Sequence, residues 1–338
     1  MSDLRQPLAT MLPVAIDAMG GDNAPTAIVQ GAQRAVTELG VPAVLVGQPE
    51  VLETRRGDLD VIPASEVIAM DADAGSSVRT RKDSSLVRAA EAVRDAKASA
   101  MVSAGNTGAT MASALLRMGR IRGVARPAIA TPIPVFGSTP TVLLDAGANA
   151  ECQPAWLVQF AQMGTVFARE RYGIEEPRVG LLSIGEEPSK GTPLVKETHQ
   201  LLTVDDGAAL TAAGGRFVGN VEGRDLMTAD VDVVVTDGFT GNVALKSLEG
   251  GMRALVKAIV DTFRASDHVD QVFEALVPLY ATVDPDSYGG AMLLGVNGVC
   301  IISHGSSSAT AIVNAIGVAR DMVEANVVDR LREAITSS

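Results

Sequence analysis

The chain has 338 residues, of which 47% are hydrophobic, 20% charged and 3% aromatic, and its formal net charge is −12 at pH 7. The apolar fraction excludes a disordered protein, and the negative charge argues against nucleic-acid binding, which needs a basic face. Two cysteines, Cys152 and Cys300, are too few for a disulfide framework and fit a reducing, cytoplasmic compartment.

After a loose tail at residues 1–12, short apolar runs alternate with longer alanine-rich runs. This alternation predicts an α/β fold, three-layered α/β/α with a mostly parallel central sheet. The predicted strands are 14–17, 43–46, 67–70, 100–103, 128–132, 141–145, 178–183, 216–219, 231–236 and 298–303. The predicted helices are 25–39, 84–97, 107–118, 154–172, 193–203, 241–264 and 306–335. No Pro- or Ser-rich linker divides the chain, so residues 13–338 are expected to form one domain. A domain with two lobes is compatible with the pattern.

Targeting and membrane segments are not indicated by the sequence. The first residues lack a basic segment followed by a long apolar one, so we expect no signal peptide. The longest apolar stretch, at 291–302, is interrupted by glycine and asparagine and is shorter than the ~20 residues of a membrane span.

Seven clusters rich in Gly, Asn, Asp and Ser follow predicted strands. Glycine lets the backbone approach a ligand closely, and ligands of open α/β sheets bind beyond the carboxyl ends of the strands. Several clusters also start a helix, whose free N–H groups favour an anion. The clusters therefore predict an anion site, with the binding candidates Gly20, Gly21, Asp22, Asn23, Ser103, Gly105, Asn106, Thr107, Asn149 and Gly241.

The cluster at 185–191 contains Lys190 but is not a nucleotide-binding loop. In a Walker loop the lysine follows the last glycine, whereas Lys190 precedes Gly191. The dinucleotide pattern Gly-x-Gly-x-x-Gly is also missing after the first strand. Lys190 is therefore interpreted either as an anion ligand or as a solvated lysine in a turn.

Among three histidines, the sequence favours His304 for a functional role. It lies at a strand-to-helix turn, where a polar side chain faces a crevice, although a structural hydrogen-bonding histidine is the alternative. His199 and His268 are predicted at the surface, and Cys152 and Cys300 are predicted as structural thiols. No clustered metal ligands are seen, so we expect neither metal nor cofactor. A site without a protein nucleophile suits a reaction in which the substrate, such as phosphate, is the nucleophile.

Two further features suggest partners. Basic residues form two groups along the sequence, which are either solvated helix ends or a positive patch for an acidic macromolecule: Arg79, Arg81, Lys82 and Arg88, then Arg117, Arg120, Arg122 and Arg126. Apolar residues at helical spacing over about 252–280 predict a helical hairpin that turns at 266–268. Core or a subunit interface is the main interpretation of the hairpin, and contact with a membrane surface is the other.

Residues 16–25, Ile-Asp-Ala-Met-Gly-Gly-Asp-Asn-Ala-Pro, closely resemble the opening signature of the phosphate acyltransferase family of bacterial phospholipid synthesis. The resemblance covers about residues 13–335, through the segments 81–85, 103–109, 143–149, 183–191, 219–225, 236–242 and 288–298. Ala146 stands where the family usually has a larger apolar residue, and Met292 where it often has proline. Neither difference removes a polar group.

The resemblance implies transfer of a fatty acyl group from acyl-[acyl-carrier protein] to inorganic phosphate, which gives an acyl phosphate. It also implies a fold similar to isopropylmalate dehydrogenases and phosphotransacetylases, and a homodimer. Peripheral membrane association, beside a downstream glycerol-3-phosphate acyltransferase, is implied as well. Asn297, in the matching segment, joins the phosphate-binding candidates. The acidic carrier protein gives Arg79, Arg81 and Lys82 a partner.

Together, the residues and the resemblance suggest direct attack of phosphate on the thioester carbonyl, without an acyl-enzyme. Loop amides, Lys190 and His304 would hold phosphate, and Asn242 would stabilise the oxyanion. Asp237 would orient His304 or Lys190, and His304 would protonate the leaving thiolate. The alternatives are a phosphotransacetylase that acts on acyl-coenzyme A and a non-catalytic scaffold that binds anions or acyl phosphate.

Overall fold

The computed structural model describes residues 11–264 and 269–336 of the chain. Residues 1–10 of the predicted tail and the predicted turn at 266–268, including His268, lie outside the described residues. The chain divides into two compact units. Unit 1 contains residues up to Ile121 together with Tyr288–Val328, and unit 2 contains Arg122–Ser287 and the residues from Asp329 onward.

Strands and helices alternate through the described residues. The strands are β1 (Val14–Asp17), β2 (Ala43–Gly47), β3 (Asp60–Pro63), β4 (Ala100–Ser103), β5 (Ala128–Ile133), β6 (Thr141–Leu144), β7 (Arg178–Leu182), β8 (Arg216–Val221), β9 (Val233–Val235), β10 (Ala291–Leu294) and β11 (Val299–Ile302). The helices are α1 (Thr26–Leu39), α2 (Pro49–Leu52), α3 (Ala74–Thr80), α4 (Ser85–Arg94), α5 (Thr107–Arg117), α6 (Pro154–Tyr172), α7 (Pro193–Thr203), α8 (Ala208–Ala213), α9 (Gly238–Phe263), α10 (Val269–Val283), α11 (Ala309–Glu324) and α12 (Val327–Thr336).

In unit 1 the strands lie in the order β3-β2-β1-β4-β11-β10. All neighbouring pairs are parallel except β10 with β11. Every residue of β1 is buried, as expected for a parallel strand covered on both faces. Helices α1 and α11 approach closely at Gly31, where a Cβ would lie 2.5 Å from the Ile312 Cβ. The register places the carboxyl ends of β1, β4 and β11 at one edge of the sheet.

In unit 2 the order is β5-β6-β9-β7-β8, with β5 antiparallel to β6 and the other pairs parallel. Helix α6 packs against β9 through Gly164, where a Cβ would lie 2.6 Å from Val233 Cγ1. The parallel register brings the loops after β6, β7, β8 and β9 to one edge of this sheet. Three of the glycine-rich clusters with candidate residues therefore follow strands that end at this edge.

The predicted α/β class with a mostly parallel sheet is confirmed. The predicted strand at 67–70 is wrong: Ile68 packs in the core, and the carbonyl of Val67 accepts a hydrogen bond from the Arg81 guanidinium instead of a neighbouring strand. The single helix predicted at 306–335 is also wrong. It divides into α11 and α12, because Asn326 has a φ of 52°, outside the helical region.

Helices α9 and α10 cover most of the segment for which the sequence predicts a helical hairpin. Helix α9 starts at Gly238, three residues before the predicted start, because Asp237 caps its free N–H groups. None of the described helices is long and apolar enough to cross a membrane.

Candidate functional site

In unit 1, the fully buried carboxylate of Asp17 organises the loop that follows β1. Ser103 Oγ donates a hydrogen bond of 2.7 Å to Asp17 Oδ2, and the Met19 N–H donates one of 3.3 Å to Oδ1. The Ser85 hydroxyl and the Gly20 N–H also donate to this carboxylate. Burial raises the pKa of Asp17, and these hydrogen bonds oppose the rise. Asp17 thus ties the β1 loop to the β4 loop.

Glycine is required where the loops after β1, β4 and β11 meet. A Cβ on Gly20 would lie 2.3 Å from Asp17 Oδ2 and 2.9 Å from the Gly105 Cα. Gly21 has a φ of 106°, and a Cβ there would lie 3.1 Å from the Gly305 carbonyl oxygen. The Asp22 N–H donates to that same oxygen at 2.7 Å. Side chains at Gly20 or Gly21 would therefore push the loops apart.

Two candidate asparagines hold these loops through their side-chain amides. Asn23 Nδ2 donates to the carbonyls of Ser306 and Ser307 at 3.0 and 3.3 Å. Asn106 Oδ1 accepts the Ala109 N–H at 2.9 Å and caps α5, while its Nδ2 donates to the Met70 carbonyl at 2.7 Å. These amides have structural partners. By contrast, the neighbouring candidate Thr107, which is the first residue of α5, is exposed.

The loop after β11 brings His304 to the same edge. The Ser303 N–H donates to the Ser103 carbonyl at 2.8 Å, so this loop lies beside the β4 loop. His304 is half-buried, and its carbonyl accepts the Ser307 N–H at 3.0 Å. Within the described part of the chain, the buried Ser303 Oγ has no hydrogen-bond partner, so it is available to a ligand.

Asn297 lies at the opposite edge of the unit 1 sheet, in the turn between β10 and β11. Its Nδ2 donates to the Arg120 carbonyl at 2.8 Å, and its N–H donates to the Gly119 carbonyl at 3.0 Å. Because β11 is parallel to β4, the start of β11 is remote from Ser103 and His304. The structure therefore does not bring Asn297 to the other unit 1 candidates.

In unit 2, a second fully buried carboxylate, Asp145, organises the loop that follows β6. Its Oδ1 accepts the N–H groups of Ile129, Gly147 and Ala148 at 3.0, 3.2 and 2.9 Å. Its Oδ2 accepts the N–H and the Nδ2 of Asn149 at 2.7 and 2.9 Å. Burial raises the pKa of Asp145, and the N–H donors oppose the rise. Five N–H groups of unit 2 are thus already paired.

Helix α9 begins directly on this loop. The Gly238 N–H donates to the Asn149 carbonyl at 2.7 Å. A Cβ on Gly241 would lie 1.9 Å from the Asp145 carbonyl oxygen, so only glycine permits this approach. The positive end of the α9 dipole is therefore held at the β6 loop.

The polar side chains of the first turns of α9 have different surroundings. Asp237 Oδ1 accepts the Thr240 N–H at 2.8 Å and Oδ2 accepts the Thr240 hydroxyl at 2.7 Å, so Asp237 is the helix cap. Among the described residues it makes no hydrogen bond to Lys190. Asn242 is exposed and lies next to Gly147, where a Cβ would be 3.8 Å from Asn242 Oδ1.

Lys190 lies in an exposed turn after β7. Its N–H donates to the Glu187 carbonyl at 3.0 Å, and its stem covers Gly185, where a Cβ would lie 2.8 Å from Lys190 Cγ. Glu186 is paired with Arg224 at 3.2 Å. The Lys190 ammonium itself has no salt-bridge partner within residues 11–264 and 269–336, so its charge is available to an anion.

Behind this turn, His199 and Asn220 form a buried hydrogen-bonded relay that the sequence does not predict. His199 Nδ1 lies 3.1 Å from Asn220 Oδ1, and Asn220 Nδ2 donates to the Glu187 carbonyl at 2.9 Å. The His199 ring also packs edge-on against Phe217, with the ring centroids 5.2 Å apart. The prediction that His199 is a surface residue is wrong, because α7 turns it onto β8. The sequence does contain one indication of this burial: His199 lies three residues before the apolar Leu202, which is buried, so both share one face of α7.

Neither cysteine is prepared for nucleophilic attack. Burial, with a contribution from the nearby Asp145, raises the pKa of Cys152 to about 12, although the Gly238 N–H opposes the shift. Burial likewise raises the pKa of Cys300 to about 12. The thiolate is the reactive form, so both thiols are inert near neutral pH. Among the described residues, no group of three or more His, Cys, Asp or Glu side chains could hold a metal ion.

The first basic group lies around the end of α3. Arg79 and Lys82 are exposed and form no ion pair among the described residues. Arg81 is also exposed, and its guanidinium donates to the Val67 carbonyl. Arg88 is neutralised by ion pairs, one of which joins it to Glu91 at 3.2 Å. Among the described residues, no carboxylate therefore neutralises the charge of Arg79, Arg81 or Lys82.

Comparison with known proteins gives consistent matches over nearly the whole chain. A family model described as fatty acid synthesis protein matches residues 12–330. The phosphate acyltransferase of Elusimicrobium minutum is 46% identical over 334 residues, which cover 95% of each chain. That of Desulforudis audaxviator is 47% identical over 331 residues, which cover 95% of this chain and 96% of the relative.

Solved structures support the same fold at low identity. A phosphotransacetylase from Streptococcus pyogenes has a TM-score of 0.60 at 19% identity and covers 96% of each chain. The EutD phosphotransacetylase from Staphylococcus aureus has a TM-score of 0.59 at 14% identity, covering 92% of this chain and 94% of its own. At these identities the likeness shows the fold alone, and it confirms the expected phosphotransacetylase-like architecture.

Proposed function

This chain belongs to the phosphate acyltransferase family, whose members transfer acyl groups to phosphate, and we propose that its acyl donor is a fatty acyl-[acyl-carrier protein]. The acyl phosphate that it forms would then serve phospholipid synthesis. The observation that carries the choice of donor is the exposed basic group Arg79, Arg81 and Lys82. An acidic carrier protein is the complementary partner for such a group.

In the proposed mechanism, a phosphate oxygen attacks the thioester carbonyl carbon directly. The new C–O bond forms as the C–S bond breaks, so no acyl-enzyme is required, in keeping with the protonated thiols of Cys152 and Cys300. Lys190 supplies positive charge to phosphate, and the Asn242 amide donates to the developing oxyanion. His304 is assigned the protonation of the leaving thiolate.

The hairpin is the proposed site of subunit association. Phe263, Phe273 and Val277 on α9 and α10 are 40%, 46% and 64% exposed, and exposed apolar patches mark sites of contact with proteins or membranes. These apolar side chains support a homodimer interface, and contact with a membrane surface is the alternative.

The donor is tested by measuring phosphate-dependent release of free thiol from a palmitoyl carrier protein and from palmitoyl-coenzyme A under the same conditions. We expect a higher kcat/KM for the carrier-linked donor. A preference for the coenzyme A thioester would instead support a phosphotransacetylase of similar fold. Absence of thiol release from both donors would indicate a non-catalytic scaffold.

A further inference from the structure

An apolar cavity of about 290 Å³ lies within unit 2, between α9, α10 and the loop after β5. Its lining includes Leu248, Met252, Ile259, Leu279 and Phe136. Ser247 is the polar residue among those that line it. Small-molecule sites of proteins are commonly apolar cavities with few polar groups, at volumes of about 300 Å³ and above.

The face of α9 that lines the cavity leads back to the start of the helix, at the loop after β6. Steps of three or four residues along this face pass from Ile259 through Leu255 and Met252 to Leu248. Gly241 lies on the same face, seven residues or about two turns before Leu248. Gly241 packs on the backbone of Asp145. At about 1.5 Å per residue, Leu248 lies ~10 Å along the helix axis from Gly241, and Ile259 lies ~27 Å from it.

We propose that this cavity holds the hydrocarbon part of a long-chain acyl donor, with its thioester at the start of α9. The inference rests on the proposed function and adds to it a site that selects for chain length. A linear chain matches a lining that extends along several helical turns and offers a single hydroxyl group. An acetyl group would leave this lining unused.

None of the described residues that line the cavity is charged, and two ion pairs of α9 lie outside the lining. Lys246 Nζ donates to Glu249 Oε2 at 2.9 Å, and Lys257 is paired with Asp261. Neither pair contributes to the lining. A hydrocarbon can therefore occupy the cavity without removing an ionised group from water.

Two adjacent glycines of α9 provide a matched test. Gly251 lines the cavity, whereas Gly250 does not and lies about 100° away around the helix. A Cβ at either position would meet no atom within 4 Å, so both tolerate a side chain. Gly251→Leu should fill the cavity, Gly251→Ala should fill it partly, and Gly250→Leu should leave it open.

The measurement is kcat/KM for palmitoyl and butyryl carrier-protein donors. With Gly251→Leu we expect the palmitoyl value to fall about tenfold or more, while the butyryl value stays within about twofold of wild type. Gly251→Ala should be intermediate, and Gly250→Leu should keep the wild-type ratio. Equal losses of kcat/KM for both donors would overturn the inference. A new oligomeric state of Gly251→Leu, measured by light scattering, would also overturn it and would assign the cavity to a subunit interface.

A direct binding measurement separates this inference from the proposed function. If the wild-type protein releases no thiol from any donor, the proposed function fails. The cavity is then judged by binding of a fluorescent long-chain fatty acid. Weaker binding to Gly251→Leu than to Gly250→Leu supports the site, and equal binding to the two variants contradicts it.

Discussion

The carboxylate oxygens of Asp145 are occupied by N–H donors, and this decides which groups remain for an anionic substrate. Five donors from Ile129 and the 147–149 loop converge on Asp145. Asp17 plays the same part in unit 1, where it accepts the N–H groups of Met19 and Gly20. Positive side chains, above all Lys190, are therefore better candidates for phosphate than the glycine-loop amides.

Lys190→Ala should weaken phosphate use strongly. The Lys190 ammonium has no salt-bridge partner in the part of the chain that the structure describes. Its removal therefore leaves no carboxylate without its partner, and the fold should be unaffected. We expect kcat/KM for phosphate to fall by about 10²–10³, as on loss of one preorganised donor. Steady-state kinetics at varied phosphate concentration measure kcat/KM, and the melting temperature should equal that of the wild-type protein.

Lys196→Ala is the matched control, because Lys196 is an exposed lysine on the neighbouring α7. It should retain wild-type kinetics. If Lys190→Ala and Lys196→Ala behave alike, Lys190 is a solvated lysine in a turn, which is the other interpretation that its sequence allows.

At the scale of elements, α7 and β8 together fix the turn that carries Lys190. Asn220 Nδ2 donates to the Glu187 carbonyl, which orients the amide so that Oδ1 faces His199. Since Oδ1 can only accept, His199 Nδ1 carries the proton. We therefore expect His199 to be a positioning residue, because Asn220 and the Lys190 N–H both donate to the Glu187 carbonyl.

His199→Phe should preserve the ring contact with Phe217 and remove the hydrogen bond to Asn220. Losing one buried hydrogen bond costs about 1–3 kcal/mol, so the turn should loosen and KM for phosphate should rise several-fold, with little change in kcat. His199→Asn, which retains a donor near the Nδ1 position, should restore KM. A purely structural role would lower the melting temperature without this rescue of KM.

The relay also predicts non-additivity with Lys190. If His199 acts through Lys190, the double variant Lys190→Ala/His199→Phe should be no worse than Lys190→Ala alone. If the loss of the double variant equals the product of the two single-variant losses, His199 affects turnover independently of Lys190.

Local sequence predicts elements well where periodicity and caps agree, and less well where long-range pairing decides. β1, β4, α6 and α7 have their predicted bounds. β10 is missed, because a four-residue apolar segment between glycines becomes a strand only through its antiparallel pairing with β11. The break between α11 and α12 depends on one left-handed residue, Asn326, within an otherwise continuous helical pattern.

At the scale of the whole molecule, each unit repeats one arrangement: a buried aspartate ends an apolar strand and organises a glycine-rich loop. Asp17 follows Val-Ala-Ile, and Asp145 follows Val-Leu-Leu. The sequence predicts which loops follow strands, and most candidates lie at a carboxyl edge. It cannot assign a loop to an edge when strand direction is unknown, which is why Asn297 is found at the other end of β11.

Charge on the whole molecule gives the sharpest test of the carrier-protein partner. With a net charge of −12, the protein would repel an acidic carrier protein unless a local basic group attracted it. Arg79→Glu/Lys82→Glu is the cleanest reversal, because neither residue forms an ion pair among the residues described. Arg81 is left intact, since its guanidinium holds the Val67 carbonyl.

For this double variant, we expect KM for the carrier-linked donor to rise about tenfold and its salt dependence to flatten, with kcat unchanged. The coenzyme A thioester is the internal control, because it does not present the carrier-protein surface. Its kinetics should be unaffected, and KM for phosphate should also stay constant. An unchanged KM for the carrier-linked donor would place the carrier protein elsewhere, whereas parallel losses with both thioesters would indicate a disturbed fold around α3 instead of a lost docking contact.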